Sequence, residues 1–335
     1  MALADANINV GRFSKVTLLT GAGWSRNWGG KLASEVWEDL IGHRSVQSSS
    51  RLRELLLNEQ SFEVALGATR CDPFTDADRQ VFEGALLDVF VAMDREIARR
   101  DHEPWINIYG VQKLLYRFWR GNAQNVDSGY MFTLNQDLWP ERHLYNDIAN
   151  GAPRPSLPGL RGRPNQQFFT SVMDIGSQDP TMQPMGGFTD SLLRGNLNLI
   201  KLHGSFNWRS ADARGTMVVG TGKAEQIASS PLLAWYFDVF RSVLSAGGVR
   251  LMIVGYGFGD EHVNAIIRDA IEHHDLKVFV WDCGPNLRQR ILAAPHGSAI
   301  WSGLLSTATR QMIEVFPSNQ AETQEYLRIM ETFFV

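Results

Sequence analysis

Short apolar runs alternate with longer stretches of helical periodicity along most of the chain. The first run, Val16–Thr20, ends at a glycine turn. Further apolar runs lie at residues 129–134, 197–202, 249–254, 276–281 and 312–316. Short runs of β-forming residues between glycines and polar residues are typical of buried strands. Strands that alternate with helices predict an α/β fold: a Rossmann-like, doubly wound, mostly parallel sheet.

The interval between the first two predicted strands is too long for a simple crossover connection. Its apolar residues recur every three or four positions, as on one face of a helix. We therefore interpret residues 45–121 as a helical insertion within a single domain, 1–335. Residues 150–195 are rich in Gly, Pro, Ser and Asn, which predicts a loop-rich insertion or lid. Residues 311–335 are predicted to form a C-terminal strand and helix.

Composition narrows the class of protein. The chain of 335 residues has 32 Lys and Arg against 36 Asp and Glu, a net charge of -4. Because no strongly basic field is available to neutralise a phosphate backbone, we expect no direct nucleic-acid binding. The N-terminal residues lack the features of a signal peptide, and the apolar runs are too short to span a bilayer. We therefore expect a cytoplasmic protein that does not bind membranes.

Glycines and hydrogen-bonding side chains follow five of the predicted strands. In chain order they are Gly21, Gly23 and Ser25; Asn135 and Asp137; His203, Gly204 and Ser205; Gly255, Gly257 and Gly259; and Asp282. In an open parallel sheet, ligands bind outside the carboxyl ends of the strands. Polar residues at five such ends predict one shared site for a polar ligand.

The first glycine turn has two interpretations. Gly21 and Gly23 would let the backbone approach a pyrophosphate, with the amides at the next helix start binding its charge. Alternatively, they form a tight turn without a ligand. The full Gly-x-Gly-x-x-Gly spacing is not met because residue 26 is Arg, which disfavours an ordinary dehydrogenase.

Three polar side chains are candidates for chemistry. His203 can exchange a proton near neutral pH, although a lone histidine is more often structural. Asn135 and Asp137 are two residues apart, so in an extended segment both could reach one ligand. Asn and Asp are also frequent turn residues, and that alternative stays open.

A second group of ionisable residues lies further along the chain. Asp260 is predicted to cap a helix that also carries Glu261, His262, His273 and His274. A solvated helix face explains these side chains most simply. We predict no metal site, since no cluster has metal-ligand spacing.

Four short blocks follow the first four predicted strands. They are Thr20-Gly-Ala-Gly-Trp-Ser25, Thr133-Leu-Asn-Gln-Asp137, Leu202-His-Gly204 and Gly255-Tyr-Gly-Phe-Gly-Asp-Glu-His-Val-Asn264. The first three, in this order, resemble the motifs of the sirtuin family. The fourth resembles a motif of bacterial sirtuin-like defence proteins. The resemblance implies a Rossmann-like domain that binds NAD.

The resemblance also implies a role for each matching residue. The resemblance places four residues near the phosphates and the adjoining ribose of NAD: Gly21, Ala22, Gly23 and Ser25. It places Gly255 and Tyr256 along the dinucleotide, with Asp282 near the adenosine end.

The same resemblance implies three catalytic residues. Asn135 would contact the nicotinamide ribose or the attacking water. Asp137 would hold the nicotinamide carboxamide. His203 would act as general base on the ribose hydroxyls.

Two departures from protein-deacylating sirtuins refine this expectation. Those enzymes carry two pairs of zinc-binding cysteines, but this chain has only Cys71 and Cys283. Their first motif continues to Asp-Phe-Arg, where this chain reads Arg26-Asn-Trp-Gly-Gly30. Both departures favour the NAD hydrolases (NADases) of bacterial anti-phage, or abortive-infection, systems. NAD would then be the substrate, cleaved at its nicotinamide–ribose bond without a metal.

Two other activities remain alternatives. One is an NAD-dependent deacylase or ADP-ribosyltransferase, and the other is a non-catalytic sensor of NAD or ADP-ribose. Uncontrolled NAD hydrolysis would harm the host cell, so we expect a homo-oligomer and a regulatory protein partner. The related systems suggest an ATPase such as a HerA-type helicase, or a small sensor protein.

Overall fold

A six-stranded parallel sheet forms the centre of the protein. The computed structural model describes residues 8–99, 106–120, 126–144, 155–161, 183–184, 187–209, 217–320 and 322–335. The sheet comprises β1 (Val16–Thr20), β2 (Gly129–Thr133), β5 (Leu197–Lys201), β6 (Arg250–Val254), β7 (Lys277–Trp281) and β8 (Leu304–Ala308). A separate antiparallel pair is formed by β3 (Leu160–Arg161) and β4 (Gln183–Pro184).

The strand order is β5-β2-β1-β6-β7-β8, and every neighbouring pair is parallel. This is the order of a doubly wound dinucleotide-binding fold once the small β3–β4 pair is set aside. The predicted fold class is therefore confirmed. The chain reverses direction across the sheet between β1 and β6, where such folds open a ligand crevice at the carboxyl edge.

Both faces of the sheet are buried. Leu18 of β1 contributes to one apolar cluster, and its neighbour Leu19 contributes to the cluster on the opposite side. Met131 and Phe132 of β2 divide in the same way, because successive strand side chains point to opposite faces. Burial on both faces explains why these strands are continuous apolar runs instead of alternating ones.

Helices occupy most of the chain between β1 and β2, as the periodicity predicts. They are α1 (Ala22–Ser25), α2 (Ala33–Gly42), α3 (Arg44–Gln47), α4 (Ser50–Asn58), α5 (Phe62–Ala68), α6 (Asp76–Arg99) and α7 (Ile108–Arg120), with a 3-10 turn at Arg26–Trp28. Ser49 and Ser61 cap α4 and α5 by accepting hydrogen bonds from backbone N–H groups. The division of this region into a separate insertion stays a prediction.

The remaining helices follow the other strands. They are α8 (Trp139–Leu144), α9 (Lys223–Ser229), α10 (Pro231–Leu244), α11 (Glu261–His274), α12 (Leu287–Ala293), α13 (Gly297–Ser302), α14 (Met312–Val315) and α15 (Gln324–Phe334), with a 3-10 turn at Asp190–Leu193. Most of the predicted lid, residues 150–195, lies outside the described residues. None of the helices in the described ranges is both long and apolar enough to cross a membrane.

The predicted sixth strand at residues 312–316 is wrong. Residues Met312–Val315 are helix α14, and the sixth strand is β8 at Leu304–Ala308. The backbone N–H of Gln311 donates to Glu314 Oε2 at 2.7 Å, which caps the helix at its start. Apolar Met312 and Val315 are buried and three positions apart, so they share a helical face. Strand β8 was not predicted because it lies at the sheet edge and is only partly buried, so it is not an apolar run.

Candidate functional site

A cavity of about 870 Å³ follows the carboxyl edge of the sheet. Its volume is within the range of small-molecule sites. The predicted site residues that line it are Gly21, Ala22, Gly23, Asn135, Asp137, His203, Gly255, Tyr256, Gly257, Gly259 and Asp282. The topology therefore gathers the ends of all five correctly predicted strands around one space. Ser25, Gly204 and Ser205 are the predicted residues that do not line the cavity.

Two backbone segments meet at the switch point between β1 and β6. The N–H groups of Gly21 and Gly23 donate to the carbonyls of Val254 and Gly255, at 3.0 and 2.9 Å. Gly255 has φ +63°, and a Cβ there would lie 2.5 Å from the carbonyl carbon of Gly23 and the nitrogen of Trp24. These glycines thus permit close contact between two loops. Both amides are therefore engaged within the protein, and binding of a pyrophosphate at the start of the next helix stays a prediction.

Asn135 is held in place by the segment that follows β1. Its side-chain amide nitrogen, Nδ2, donates to the Gly21 carbonyl at 3.0 Å and to Ser25 Oγ at 3.1 Å. Its backbone N–H donates to Thr133 Oγ1 at 3.1 Å. Within the described ranges, no residue hydrogen-bonds to Oδ1. The acceptor atom of this cavity-lining amide is therefore available to a ligand or water.

Ser25 lies behind the cavity wall, and this corrects its predicted contact with NAD. The side chain is fully buried, and its hydroxyl donates to Asp137 Oδ2 at 2.6 Å. The same hydroxyl accepts from Asn135. Short α1 turns the Ser25 side chain away from the cavity and under the loop after β2. Ser25 therefore connects two lining residues instead of touching a ligand itself.

Asp137 is also engaged within the protein. Besides the hydrogen bond from Ser25, its Oδ1 accepts from the Trp139 backbone N–H at 2.9 Å. The side chain is 4% exposed and lines the cavity. Each carboxylate oxygen has a second lone pair, so these bonds leave acceptor capacity.

His203 follows β5 and is almost completely buried, with 2% exposure. Burial lowers the pKa of His203 to about 3, although the carboxylate of Asp260 acts in the opposite direction. The imidazole is thus neutral at physiological pH and has a lone pair for a proton. A neutral imidazole in the cavity wall can accept a proton, and its low pKa makes it a weak base that releases the proton again readily.

His262 contacts His203, which contradicts the predicted solvated helix face. The two Nε2 atoms are 3.0 Å apart, and His262 is only partly exposed. His273, on the same helix α11, is exposed as predicted. Asp260, which precedes α11, lines the cavity, and only the tertiary arrangement distinguishes these two histidines.

A chain of ion pairs adjoins the two histidines. Lys223 Nζ lies 2.8 Å from Asp260 Oδ1 and 2.8 Å from Glu63 Oε1. Asp260 occupies the predicted cap position of α11, but its side chain forms no capping hydrogen bond. The carboxylate pairs with Lys223 instead. Sequence analysis missed Lys223 and Glu63 because they come from helices α9 and α5, which are distant along the chain.

His203, Asp260 and His262 form the one group in the described part of the chain that could hold a metal ion. Their ligand atoms lie within 4.8 Å of one another. Lys223 already neutralises the Asp260 carboxylate and places a positive charge beside the group. Because that charge would repel a cation, the arrangement suits a hydrogen-bonded pair of imidazoles better than a metal.

Tyr256 and Asp282 also line the cavity. The Tyr256 hydroxyl donates to Asn264 Oδ1 at 3.0 Å and accepts from the Asp260 N–H at 3.1 Å. Burial raises the pKa of Tyr256 well above its usual value, so the phenol stays protonated. Asp282 accepts two hydrogen bonds from the Arg290 guanidinium, at 2.8 and 3.2 Å. Both side chains are fixed by partners within the protein.

Buried ion pairs lie beneath the loop that carries Asn135 and Asp137. Lys201 Nζ is 3.0 Å from Glu141 Oε1, and it donates to the Asp137 carbonyl and to Ser205 Oγ. Arg142 and Asp94 form a second pair at 2.6 Å with no exposed side-chain surface. A lysine inside the apolar run at 197–202 was the available sequence signal for this layer.

Comparison with known proteins finds a match over part of the chain. Residues 166–300 match the family model described as a SIR2-like domain. This domain type indicates an NAD-utilising enzyme of the sirtuin kind. No curated protein sequence matches the chain significantly.

The SIR2-like match covers less than half of the chain. It includes His203, the 255–264 block and Asp282. The residues after β1 and β2 precede the matched segment. Their place in the site therefore rests on the cavity geometry, which brings them to the same edge of the sheet as His203.

Proposed function

We propose that this protein is an NAD glycohydrolase that cleaves the nicotinamide–ribose bond to give nicotinamide and ADP-ribose. One observation carries the proposal. The side chains of Asn135 and His203 line a single cavity at the switch point of a doubly wound sheet, in a chain with a SIR2-like domain. Nicotinamide leaves readily because its ring nitrogen is cationic while bonded to ribose. The site then has to orient the dinucleotide, stabilise the ribose cation and position water.

Asn135 is proposed to orient the attacking water. Its Nδ2 is held by Gly21 and Ser25, so the amide cannot rotate without losing two hydrogen bonds. The remaining acceptor, Oδ1, can take a hydrogen bond from water or from a ribose hydroxyl. This fixed geometry is what a positioning group requires.

His203 is proposed as the general base. The low pKa of His203, caused by burial, keeps the ring neutral before the reaction. A proton taken up during the reaction would be stabilised by nearby Asp260. The proposal thus requires no metal for activation of the nucleophile.

Asp137 is proposed to contact the carboxamide of the leaving nicotinamide. Its two internal hydrogen bonds fix the carboxylate, and its free lone pairs can accept from the carboxamide N–H. The same bonds make Asp137 the group that fixes Ser25, and through Ser25 the amide of Asn135.

The far end of the cavity is proposed to bind the diphosphate and adenosine. Arg26 and Lys31 follow the glycine turn and line the cavity, as do Arg290 and Arg310. Such cations suit a diphosphate. Gly255 and Tyr256 would lie along the dinucleotide, and Asp282 with its partner Arg290 would lie near the adenosine.

The proposed biological role is that of an anti-phage effector that depletes the cytoplasmic NAD of an infected cell. It follows from the proposed reaction and from the resemblance of the 255–264 block to defence proteins. A homo-oligomer and a regulatory protein partner belong to the same proposal, because unrestrained NAD hydrolysis is toxic. Expression of the wild-type chain, but not of His203→Ala, is expected to lower cellular NAD during infection. Equal NAD levels in both strains would contradict the role.

The proposed reaction is tested with purified protein and NAD. Nicotinamide release is followed by chromatography for the wild type, Asn135→Ala and His203→Ala. Asn58→Ala and His273→Ala are matched controls, because both side chains are exposed and away from the cavity. Release by the wild type and the controls, with at least about 100-fold less from the site variants, is expected. Equal release by the site variants would contradict the assignment.

A further inference from the structure

Hydrolysis of NAD, as proposed above, produces one proton in each turnover. Water supplies a hydroxyl group to the ribose carbon, nicotinamide leaves as a neutral molecule, and the second water proton remains. A base with 2% exposure and a low pKa cannot keep that proton. The site therefore needs a route by which the proton leaves His203.

The closest ionisable group to His203 is the imidazole of His262. Their Nε2 atoms are 3.0 Å apart, and the ring centroids are 5.2 Å apart. At this distance one proton lies between the two nitrogens. No described residue hydrogen-bonds to Nδ1 of His203, which leaves that nitrogen for the substrate. His262 is partly exposed, so it connects the buried base with solvent.

Packing and charge support the pair. Phe237 of α10 contacts both imidazoles, with ring centroids 6.5 Å from His203 and 5.4 Å from His262. The charged groups that act on the pair are Asp260, Lys223 and Glu261. Asp260 stabilises a positive charge on either ring, and Lys223 opposes it. The pair can therefore hold an extra proton briefly and then release it.

We propose that His262 is a positioning residue that fixes the tautomer of His203 and accepts its proton. Before reaction, His203 Nε2–H donates to the lone pair of His262 Nε2. As the attacking water bonds to the ribose carbon and the bond to nicotinamide breaks, His203 Nδ1 takes a proton from that water. The Nε2–H bond of His203 then breaks and an Nε2–H bond forms on His262. His203 is then neutral and protonated at Nδ1, and His262 is a cation beside Asp260. His262 releases its Nδ1 proton to solvent. The resting tautomers return when solvent takes the Nδ1 proton of His203, the Nε2 proton of His262 moves back to Nε2 of His203, and solvent protonates Nδ1 of His262 again.

Two variants of His262 test this role. His262→Gln keeps a hydrogen-bonding group at the position of Nε2 but cannot carry a proton, whereas His262→Ala removes both functions. The proposal predicts that kcat for nicotinamide release falls about 10–100-fold in both variants, with little change in KM for NAD. Imidazole added to the buffer is expected to restore part of the activity of His262→Ala. His273→Gln, on the same helix, is the matched control and should behave like the wild type.

The outcomes are distinct. Wild-type activity in His262→Gln would show that the side chain only orients His203, and would overturn proton transfer. Wild-type activity in His262→Ala would overturn both roles. Nitrogen NMR of histidine-labelled protein tests the pair even if the wild type releases no nicotinamide, a result that would instead reject the proposed function. Tautomers with the proton on Nε2 of His203 and on Nδ1 of His262 are expected, and the reverse assignment would overturn the inference.

Discussion

The hydroxyl of Ser25 and the carboxylate of Asp137 are joined by a 2.6 Å hydrogen bond beneath the cavity. Ser25 belongs to the segment after β1, and Asp137 to the segment after β2. The same hydroxyl accepts from Asn135, so one buried atom links the first two strand ends of the site. The Ser25 hydroxyl therefore contributes to the geometry of the site as well as to the stability of the folded protein.

Ser25→Ala is expected to weaken both properties. The substitution removes a buried donor from Asp137 and a buried acceptor from Asn135, which should lower the free energy of unfolding by about 1–3 kcal/mol. Nicotinamide release should fall because the Asn135 amide is free to rotate. Denaturant unfolding and the release assay measure the two effects. Ser229→Ala, at an exposed helical serine, is the control, and a Ser25→Ala protein indistinguishable from it would contradict the linking role.

Gly255→Ala is expected to destabilise the protein far more than Gly257→Ala. A methyl group at Gly255 would meet backbone atoms at 2.5 Å and would require alanine at φ +63°. At Gly257, two residues later, a Cβ meets no atom within 4 Å. Melting temperatures of the two variants provide the comparison. Similar values would mean that the loops after β1 and β6 do not approach each other as described.

Lys201→Met is expected to lower the free energy of unfolding by about 3–5 kcal/mol, because Glu141 is left buried without its partner. Adding Glu141→Leu should recover much of the loss, since removing both charges removes the uncompensated one. Denaturant unfolding of the single and double variants measures the coupling. Lys277→Met changes a half-exposed strand lysine and should cost little. A double variant less stable than Lys201→Met would contradict the pairing.

Stability is expected to depend on pH through His203. Burial lowers the pKa of His203 to about 3 in the folded protein, from the usual 6.5. Below pH 6.5 the unfolded chain binds a proton that the folded chain excludes, so acidification favours unfolding. Between pH 7.5 and pH 5 this difference amounts to about 2 kcal/mol. The free energy of unfolding of His203→Gln should therefore fall less than that of the wild type over that range. Equal pH dependence of the two proteins in denaturant unfolding would show that the ring is not buried as described.

Much of the fold follows from the sequence because five strands are buried on both faces. Each is a mostly apolar run, and its predicted ends agree with the structure to within one residue, as for β1 at Val16–Thr20. The sixth strand could not be found in this way, since edge strand β8 contains exposed and polar residues. A short apolar segment such as Met312–Val315 fits either a strand or a helix, and its cap decides between them.

The candidate site is only partly accessible to sequence reasoning. Residues that follow parallel strands must meet at one edge, so Asn135, His203 and Gly255 could be predicted together. The direction of a side chain after a turn could not be predicted from the sequence. The burial of Ser25 behind the cavity wall was missed for that reason. His262 and Lys223 join the site through packing between helices, which depends on tertiary structure and not on local periodicity.

The balance of products formed from NAD tests the proposed reaction most directly. Purified wild-type protein is incubated with NAD alone, and nicotinamide, free ADP-ribose and remaining NAD are measured together over time. A hydrolase predicts one nicotinamide and one free ADP-ribose for each NAD consumed, with His203→Ala as the inactive reference. Intact NAD, or nicotinamide released without an equal amount of free ADP-ribose, would contradict hydrolysis at this cavity.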